Sequence, residues 1–238
     1  MECSLQLYSL ACGGVKSLKQ QINLAGQHGY DGIEFAGFSD LSVSEIKAEM
    51  DKYNLYSKSA HTSFFKFSDE EMEESFRFHK ELGITYVIQP WWDFESIDDA
   101  YDAAKKLNNA NKIAKKYGLK VGYHNHAHEF KKFDGKYILD IIKENADDDI
   151  IFELDIFWVS KGGEDAYKYI EKYGKAVELV HIKQIDKDGN NCDIEDGILD
   201  INKIREVAKY AKYFIVEQEN TGDSIRSSEH NAKYLKSL

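Results

Sequence analysis

The chain has 238 residues, enough to bury one sizeable core, and lengths of about 200 to 250 residues are usual for a single α/β barrel. Its formal net charge of -11 disfavours binding to nucleic-acid phosphates or to an anionic membrane, because both would repel it. Three widely spaced cysteines predict neither a disulfide framework nor a CxxC metal site. With no basic and apolar leader and no run of about 20 apolar residues, the sequence predicts a cytoplasmic protein without a membrane span.

Short apolar segments alternate with longer amphipathic ones along the chain. The strand candidates are residues 5–10, 31–35, 56–61, 85–89, 119–124, 150–155, 177–182 and 213–218. The helix candidates are residues 16–28, 42–54, 69–82, 96–117, 136–145, 163–173, 200–211 and 224–236. Eight strand-helix repeats without a Pro/Gly/Ser-rich linker predict one domain, residues 1–238, with a parallel sheet that closes into a (β/α)8 TIM barrel.

Residues at the ends of these segments support short connections. Gly29, Gly83 and Gly118 each stand at the end of a predicted helix, as expected for a glycine C-cap in a short loop. Ser68 precedes Glu71 by three residues, which predicts a capping box. An open doubly wound sheet is the alternative architecture, but no GxGxxG turn follows a predicted strand to mark a dinucleotide site.

Three of the eight histidines lie at alternate positions after the fifth predicted strand, at His124, His126 and His128. If that strand continued, its period of two would place the three imidazoles on one face and Asn125 and Glu129 on the other. Crowded imidazoles indicate a metal site or a proton relay. A polar loop with solvated histidines is the alternative that this segment alone leaves open.

Acidic and imidazole side chains also follow most of the other predicted strands, and in a (β/α)8 barrel the active site is built at these ends. Asp155, His181 and Glu217 lie at the ends of consecutive strands and can bind one divalent ion. His124 would complete a mixed oxygen and nitrogen set, which suits Mn²⁺, Co²⁺ or Zn²⁺ better than Ca²⁺. Glu34 alone could equally be a helix N-cap or a loop ion pair.

Five short motifs occur in an order and spacing that resemble a known family. They are Gly29-Tyr-Asp-Gly-Ile-Glu34, Tyr123-His-Asn-His126 with Glu129-Phe130, Glu153-Leu-Asp155 with Trp158, His181-Ile-Lys183, and Glu217-Gln-Glu219. Together they resemble the sugar phosphate isomerase/epimerase superfamily, the xylose-isomerase-like TIM barrels, over essentially the whole chain. The nearest resemblance is to the branch with a Tyr-His-Asn-His-x-x-Glu-Phe signature.

The resemblance implies a divalent metal held by residues from strands five to eight, commonly a Glu, Asp, His, Glu set. The last three positions are matched by Asp155, His181 and Glu217. At the first position many relatives have glutamate, so either His124 is the ligand or His126 or Glu129 supplies it. We expect His124, because it lies nearest the strand end. The expected cofactor is one divalent ion, Mn²⁺ first, with Co²⁺, Zn²⁺ or Mg²⁺ as alternatives.

The resemblance further implies an isomerase or epimerase of a sugar, keto-sugar or related polyol in carbohydrate metabolism, acting through a metal-stabilised enediolate. The expected proton-transfer residues are His126, Glu129 and Lys183. The expected substrate-binding residues are Glu34, His61 and Trp91. For Lys183 the alternative is an exposed surface side chain. The other two tryptophans, Trp92 and Trp158, are expected to plug the barrel mouth.

Other functions stay open at this point. A lyase of the same architecture, either an inosose-type dehydratase or an eliminase of a 3-keto-glycoside, is favoured by the additional histidines that could act as acids. A non-catalytic barrel that binds a sugar or a partner subunit is motivated by the departure at His124. DNA repair hydrolysis is disfavoured by the acidic charge. The expected partners are a small-molecule carbohydrate and a second copy of the chain, with no nucleic acid and no membrane.

Overall fold

A computed structural model describes residues 2–39, 41–219 and 221–238, and in it eight parallel strands close into a barrel. The barrel strands are β1 (Ser4–Gln6), β2 (Gly32–Phe35), β3 (Tyr56–His61), β4 (Tyr86–Gln89), β5 (Lys120–His124), β6 (Ile151–Asp155), β7 (Leu179–Ile182) and β8 (Tyr213–Val216). Neighbouring strands pair in chain order, and β8 pairs with β1, where Ser4 lies opposite Ile215. The predicted (β/α)8 TIM barrel is therefore confirmed, and the open doubly wound sheet is excluded.

Helices alternate with the strands around the barrel. They are α1 (Tyr8–Cys12), α2 (Leu18–His28), α3 (Val43–Asp51), α4 (Asp69–Leu82), α5 (Ile97–Lys116), α6 (Ile138–Asn145), α7 (Ile156–Lys161), α8 (Ala166–Tyr173), α9 (Ile201–Val207) and α10 (Ser224–Ser237). Two small hairpins pair Lys132–Phe133 with Lys136–Tyr137 and Gln184–Ile185 with Asn191–Cys192. None of the helices in the described ranges has the length and apolar character needed to cross a membrane.

Apolar side chains pack both outside and inside the barrel. A large cluster joins strands to helices, and a separate small cluster consists of Tyr86, Ile88, Ile151, Leu179 and Ile215. Because side chains alternate along a strand, the small cluster faces the barrel interior. Beside it, a Cβ on Gly122 would lie 2.7 Å from the Ile151 side chain, so this position admits only glycine without movement. The polar side chains nearer the C-terminal strand ends therefore lie above an apolar floor.

Several predicted helix ends are confirmed. Gly29 and Gly83 cap α2 and α4 with φ angles of +89° and +92°, the left-handed region that glycine adopts without strain. Ser68 and Glu71 form the predicted capping box at the start of α4. Gly118 stands one residue beyond the C-cap of α5, which is Tyr117, and has a φ of +67°.

Some element boundaries were predicted wrongly. The first strand, predicted over residues 5–10, ends at Gln6, and α1 begins two residues later. The Gln6 side chain accepts a hydrogen bond from the backbone N–H of Tyr8 at 3.0 Å, which stabilises the turn. The helix predicted over residues 163–173 begins at Ala166, and a separate helix, α7, starts directly after β6 because Asp155 caps it.

Candidate active site and metal centre

The four predicted metal ligands lie together at the C-terminal end of the barrel. His124 and Asp155 end β5 and β6, His181 lies within β7, and Glu217 directly follows β8. Asp155 stands opposite His181 in the β6–β7 register. One potential donor atom of each residue lies within 4.8 Å of those of the other three. All four residues are buried, and the most exposed, Glu217, is 5 % exposed. The group has the size and the donor atoms of a metal site.

Asp155 is oriented by the helix that it caps. Its Oδ1 accepts hydrogen bonds from the backbone N–H groups of Phe157 at 2.9 Å and Trp158 at 3.1 Å. Its Oδ2 lies 3.6 Å from His124 Nε2 and 3.9 Å from His181 Nδ1 and, within the described part of the chain, has no hydrogen-bond partner. Burial raises the pKa of Asp155 to about 7, against the opposing charges of Lys183 and His181. One oxygen is thus fixed and the other is free for a cation.

His124 has two unpaired ring nitrogens. Both are buried and, among the residues that the structure describes, neither has a hydrogen-bond partner. Burial, together with His181 and His126, lowers the pKa of His124 well below its usual value, so the ring is neutral and has a lone pair to offer. Buried polar atoms without partners cost free energy, and a divalent cation would satisfy one ring nitrogen of His124 and Asp155 Oδ2. The residues present therefore fit a metal ion.

His181 is held from both sides by carboxylates. Its Nδ1 lies 2.8 Å from Glu217 Oε2, and its Nε2 lies 2.7 Å from Glu34 Oε2. Gln6 Nε2 donates a hydrogen bond to the same Glu34 oxygen at 2.7 Å. Burial lowers the pKa of His181, but Glu153 and Glu34 raise it well above its usual value. Glu34, which was predicted to bind substrate, is fully buried and stands where a carboxylate orients a metal-ligating histidine.

A second group of potential ligands adjoins the first. It consists of His61, His124, Glu153 and His181, whose donor atoms also lie within 4.8 Å of one another. Glu153 Oε2 lies 2.6 Å from His61 Nε2 and 3.2 Å from His181 Nε2. Burial raises the pKa of Glu153, but His181 and His61 hold it well below its usual range. Glu153 is missing from the predicted site, although its spacing of two residues from Asp155 on one strand already placed both on the same face.

Lys183 is completely buried, unlike the exposed side chain that was its alternative interpretation. Its Nζ lies 2.5 Å from Glu219 Oε1 and 3.8 Å from Glu217 Oε1, and 4.8 Å from the ring centroid of Trp158. Burial alone would lower the pKa of Lys183, but Glu217, Asp155 and Glu219 raise it above its ordinary value. Burial raises the pKa of Glu217, but Lys183 and His181 hold it well below its usual range. Lys183 is thus a permanent cation at neutral pH.

The histidine segment leaves the strand conformation after His124. A 3₁₀ turn forms at His128–Phe130, so the extended geometry that would place alternate residues on one face is wrong. The rings still follow one another, with centroid distances of 4.9 Å from His124 to His126 and 5.9 Å from His126 to His128. The imidazoles are therefore clustered by a turn and not by strand alternation.

Glu129 supports this turn from below. It is fully buried, and its carboxylate accepts hydrogen bonds from the Tyr123 hydroxyl at 2.7 Å and from the backbone N–H of His126 at 2.8 Å. Burial raises the pKa of Glu129. Burial also lowers the pKa of His126 to about 3, so its ring is neutral at pH 7. Of these two predicted proton-transfer residues, the structure brings His126 to the cavity and places Glu129 behind it.

A cavity of about 890 Å³ opens above these groups. His61, His124, His126 and Glu217 contribute to its lining, as do the rings of Tyr8, Phe38, Phe67, Trp91 and Trp158. Trp92 instead packs against Phe65, with ring centroids 5.3 Å apart. Tyr8 is missing from the predicted site because its position fell inside the first predicted strand. Neither lysine nor arginine lines the cavity within the described ranges.

Comparisons with known proteins agree on the fold. A family model described as a xylose isomerase-like TIM barrel matches residues 22–238. No curated protein matches the chain. Among solved structures, the chain is similar to a sugar phosphate isomerase/epimerase from Parabacteroides distasonis at 26 % identity and a TM-score of 0.85, covering 100 % of this chain and 94 % of that chain.

Two further solved structures are similar over nearly their whole lengths. A D-tagatose 3-epimerase-like protein is 18 % identical with a TM-score of 0.73, covering 99 % of this chain and 97 % of that chain. An IOLI protein with a bound zinc atom is 17 % identical with a TM-score of 0.73, covering 100 % of this chain and 96 % of that chain. Identities this low show the shared fold alone.

Proposed function

The chain belongs to the family of xylose isomerase-like TIM barrels, and from this premise we propose that it is a divalent-metal-dependent isomerase or epimerase of a sugar, keto-sugar or related polyol. The family match and the similar sugar phosphate isomerase/epimerase confirm the resemblance seen in the sequence. The observation that carries the proposal is the convergence of four potential metal ligands beneath a cavity of about 890 Å³.

We assign one ion to the four predicted ligands, with Mn²⁺ first and Co²⁺, Zn²⁺ or Mg²⁺ as alternatives. They are His124, Asp155, His181 and Glu217. A bound divalent ion would supply the positive charge that stabilises an enediolate when the carbon next to a substrate carbonyl loses its proton. The protein keeps His124 neutral by burial and orients Asp155 by its helix cap, so both donors are in place before substrate binds.

His126 is the proton acceptor in this proposal. It lines the cavity, and its ring centroid lies 4.9 Å from that of His124, so a substrate at the ligand group lies beside it. With a pKa of about 3 the ring is free to accept a proton at pH 7, and a base this weak acts well only on a strongly acidified carbon. Glu129 holds the backbone of His126, and we assign it the positioning of this ring.

Lys183 provides the fixed positive charge. Because its pKa is raised, it retains its proton at neutral pH and does not act as a base. It lies within 4 Å of both Glu219 and Glu217 and stabilises Glu217 as an anion. The proposed site therefore combines a neutral imidazole that accepts the proton with a buried ammonium group that keeps its charge.

Incubation of the Mn²⁺-loaded protein with a panel of ketoses in D₂O tests the proposal. We expect deuterium to exchange at the carbon next to the carbonyl, as measured by NMR. His126→Asn should slow this exchange by about 10² to 10⁴-fold and leave Mn²⁺ affinity unchanged. His230→Asn is the matched control, since His230 lies on α10 and pairs with Glu195 at 3.0 Å. An absence of exchange across the panel with Mn²⁺ bound would refute the proposal and favour a barrel that only binds sugar.

A lyase is the second candidate, and His61 is the observation that favours it. Burial lowers the pKa of His61, but Glu34 and Glu153 raise it above its usual value. His61 also lines the cavity. A protonated imidazole there could donate a proton to a leaving group. Release of water or of an aglycone without an epimerised product would distinguish this reaction from isomerisation.

A further inference from the structure

The cavity is larger than one sugar ring bound at the four proposed metal ligands would need. Its volume of about 890 Å³ lies in the upper part of the ~300–1,000 Å³ range of sites for drug-sized ligands. A single sugar ring at His124 and Glu217 would fill only the base of this space. Phe38, Phe67 and Trp91 contribute apolar surface to its lining. The cavity therefore has room for an additional group with an apolar face.

Trp91 offers a flat surface one ring beyond the ligand group. The ring centroids from His124 to His126 and from His126 to Trp91 are 4.9 and 4.6 Å apart. The indole also contacts His128, with centroids 4.2 Å apart, and its Nε1 donates a hydrogen bond to Asp93 Oδ1 at 3.2 Å. Despite these contacts, Trp91 is 48 % exposed. The indole is anchored, and much of its surface is free at the cavity.

A second exposed aromatic side chain lines the same cavity. Tyr8 is 46 % exposed and lies at the start of α1, after β1. The described lining includes no lysine or arginine, while Glu217 and Glu219 contribute to it, so the additional group is not an anion. Exposed aromatic surface on two elements of one cavity is the composition expected where a neutral ring packs.

We propose that this site takes a neutral sugar joined to a second ring, with the sugar at the ligand group and the second ring stacked on Trp91. The position of the sugar rests on the proposed function, whereas the ring subsite rests on Trp91 and the cavity. An aromatic ring and the C–H face of a second sugar present the same flat apolar surface to an indole. The ligand class is thus a glycoside, with either an aryl group or a second sugar as its outer ring.

Calorimetric titration of the Mn²⁺-loaded protein tests this inference. The probes are methyl and phenyl glycosides of glucose, galactose and mannose, with cellobiose and lactose as disaccharides. We expect a ring-bearing probe to bind about 3- to 10-fold more tightly than its methyl counterpart, the effect of one stacking contact. Trp91→Ala should abolish this preference, Trp91→Phe should retain most of it, and Tyr101→Ala, an exposed aromatic on α5, should leave it unchanged.

Each outcome has a defined meaning. A preference for phenyl glycosides supports an aryl outer ring, and a preference for disaccharides supports a second sugar. Equal affinities within every pair, a preference that survives in Trp91→Ala, or an absence of binding by all probes would overturn the inference. The proposed function fails separately if the protein shows no D₂O exchange. If Trp91→Ala still abolishes the preference for ring-bearing probes in that case, the ring subsite is supported although the proposed function is not.

Discussion

Asp155 caps a helix with one carboxylate oxygen and leaves the other for the proposed metal ion. Its Oδ1 caps α7, which starts directly after β6, and its Oδ2 points to the rings of His124 and His181. A helix N-cap and a metal ligand are usually treated as alternative explanations of an acidic residue at a strand end. Here the cap fixes the orientation of the carboxylate, so the second oxygen is held where a cation would bind.

Asp155→Asn separates these tasks. Asparagine caps a helix about as well as aspartate, so we expect the variant to fold. It lacks the anionic charge, and we expect its affinity for Mn²⁺, measured by calorimetry, to fall by more than the roughly 10- to 100-fold that loss of an outer-shell partner causes. Asp165→Asn is the matched control, because Asp165 caps α8 in the same way and is exposed. Equal Mn²⁺ affinity in the two variants would contradict the assignment of Asp155.

The pKa of Asp155 also predicts a pH dependence of stability. Burial raises this pKa from 3.8 to about 7, so between these values the folded metal-free protein binds more protons than the unfolded chain. The contribution of Asp155 to the free energy of unfolding therefore falls as pH rises through this window. We expect urea unfolding in EDTA at about pH 5 and about pH 8 to show a smaller loss of stability for Asp155→Asn than for the wild type. Parallel losses in the two proteins would contradict the raised pKa.

The sequence predicts which segments form strands and helices better than it predicts where those segments end. The third strand and the fourth helix have the predicted bounds, residues 56–61 and 69–82, and a capping box marks the start of helix α4. The first strand was predicted to end four residues too late, because its apolar pattern continues into α1. A short amphipathic helix and a strand share such a pattern, and in the structure the backbone N–H of Ala11 donates to the Leu7 carbonyl at 3.1 Å, as in a helix.

Glu178 closes the end of the barrel opposite the site. Its carboxylate lies 2.5 Å from Lys120 Nζ and 2.8 Å from Lys212 Nζ, and it accepts a hydrogen bond from the Tyr86 hydroxyl at 2.6 Å. Burial raises the pKa of Glu178, but these partners lower it to about 2. The group thus joins the starts of four barrel strands, β4, β5, β7 and β8.

Glu178→Gln should lower the free energy of unfolding by about 1–2 kcal/mol at neutral pH, a value discounted for the solvent that screens this partly exposed group. Because the folded pKa is lowered from 4.5 to about 2, this stability is present above about pH 4.5 and is lost as pH falls toward 2. Urea unfolding measures it. Glu144→Gln is the control, since the Glu144–Lys136 pair is more than half exposed, and we expect no measurable change there. A loss equal to that of the control would show that the cluster adds nothing to stability.

At the scale of the molecule, closure of the barrel joins residues that are remote in sequence. Glu34 and His181 are separated by 147 positions and form a hydrogen bond of 2.7 Å. Glu153 and His61 are separated by 92 positions and lie 2.6 Å apart. The site depends on all of these strands at once, so an ion bound there stabilises the whole fold and not one loop.

Mn²⁺ should therefore raise the thermal stability of the whole protein. At a free concentration about 100 times its Kd, an ion that binds only the folded state adds about 2.7 kcal/mol. For a chain of this length, that corresponds to a rise in Tm of about 5–10 °C, measurable by scanning calorimetry. Ca²⁺ should give a smaller rise, because it prefers a larger shell made only of oxygen ligands. An unchanged Tm in Mn²⁺, or an equal rise in Asp155→Asn, would contradict the metal site.

The sequence by itself determined the (β/α)8 fold and the four residues that meet at the C-terminal ends of β5 to β8. Periodicity and strand order suffice for this, because parallel strands bring their C-terminal ends to one face. The tertiary structure decided the rest. It alone shows that Lys183 is buried beside Glu219 and that Glu34 supports His181. It also shows that the histidine segment turns after His124, over the buried carboxylate of Glu129. Burial and pairing across the barrel depend on contacts between distant strands, which no local pattern contains.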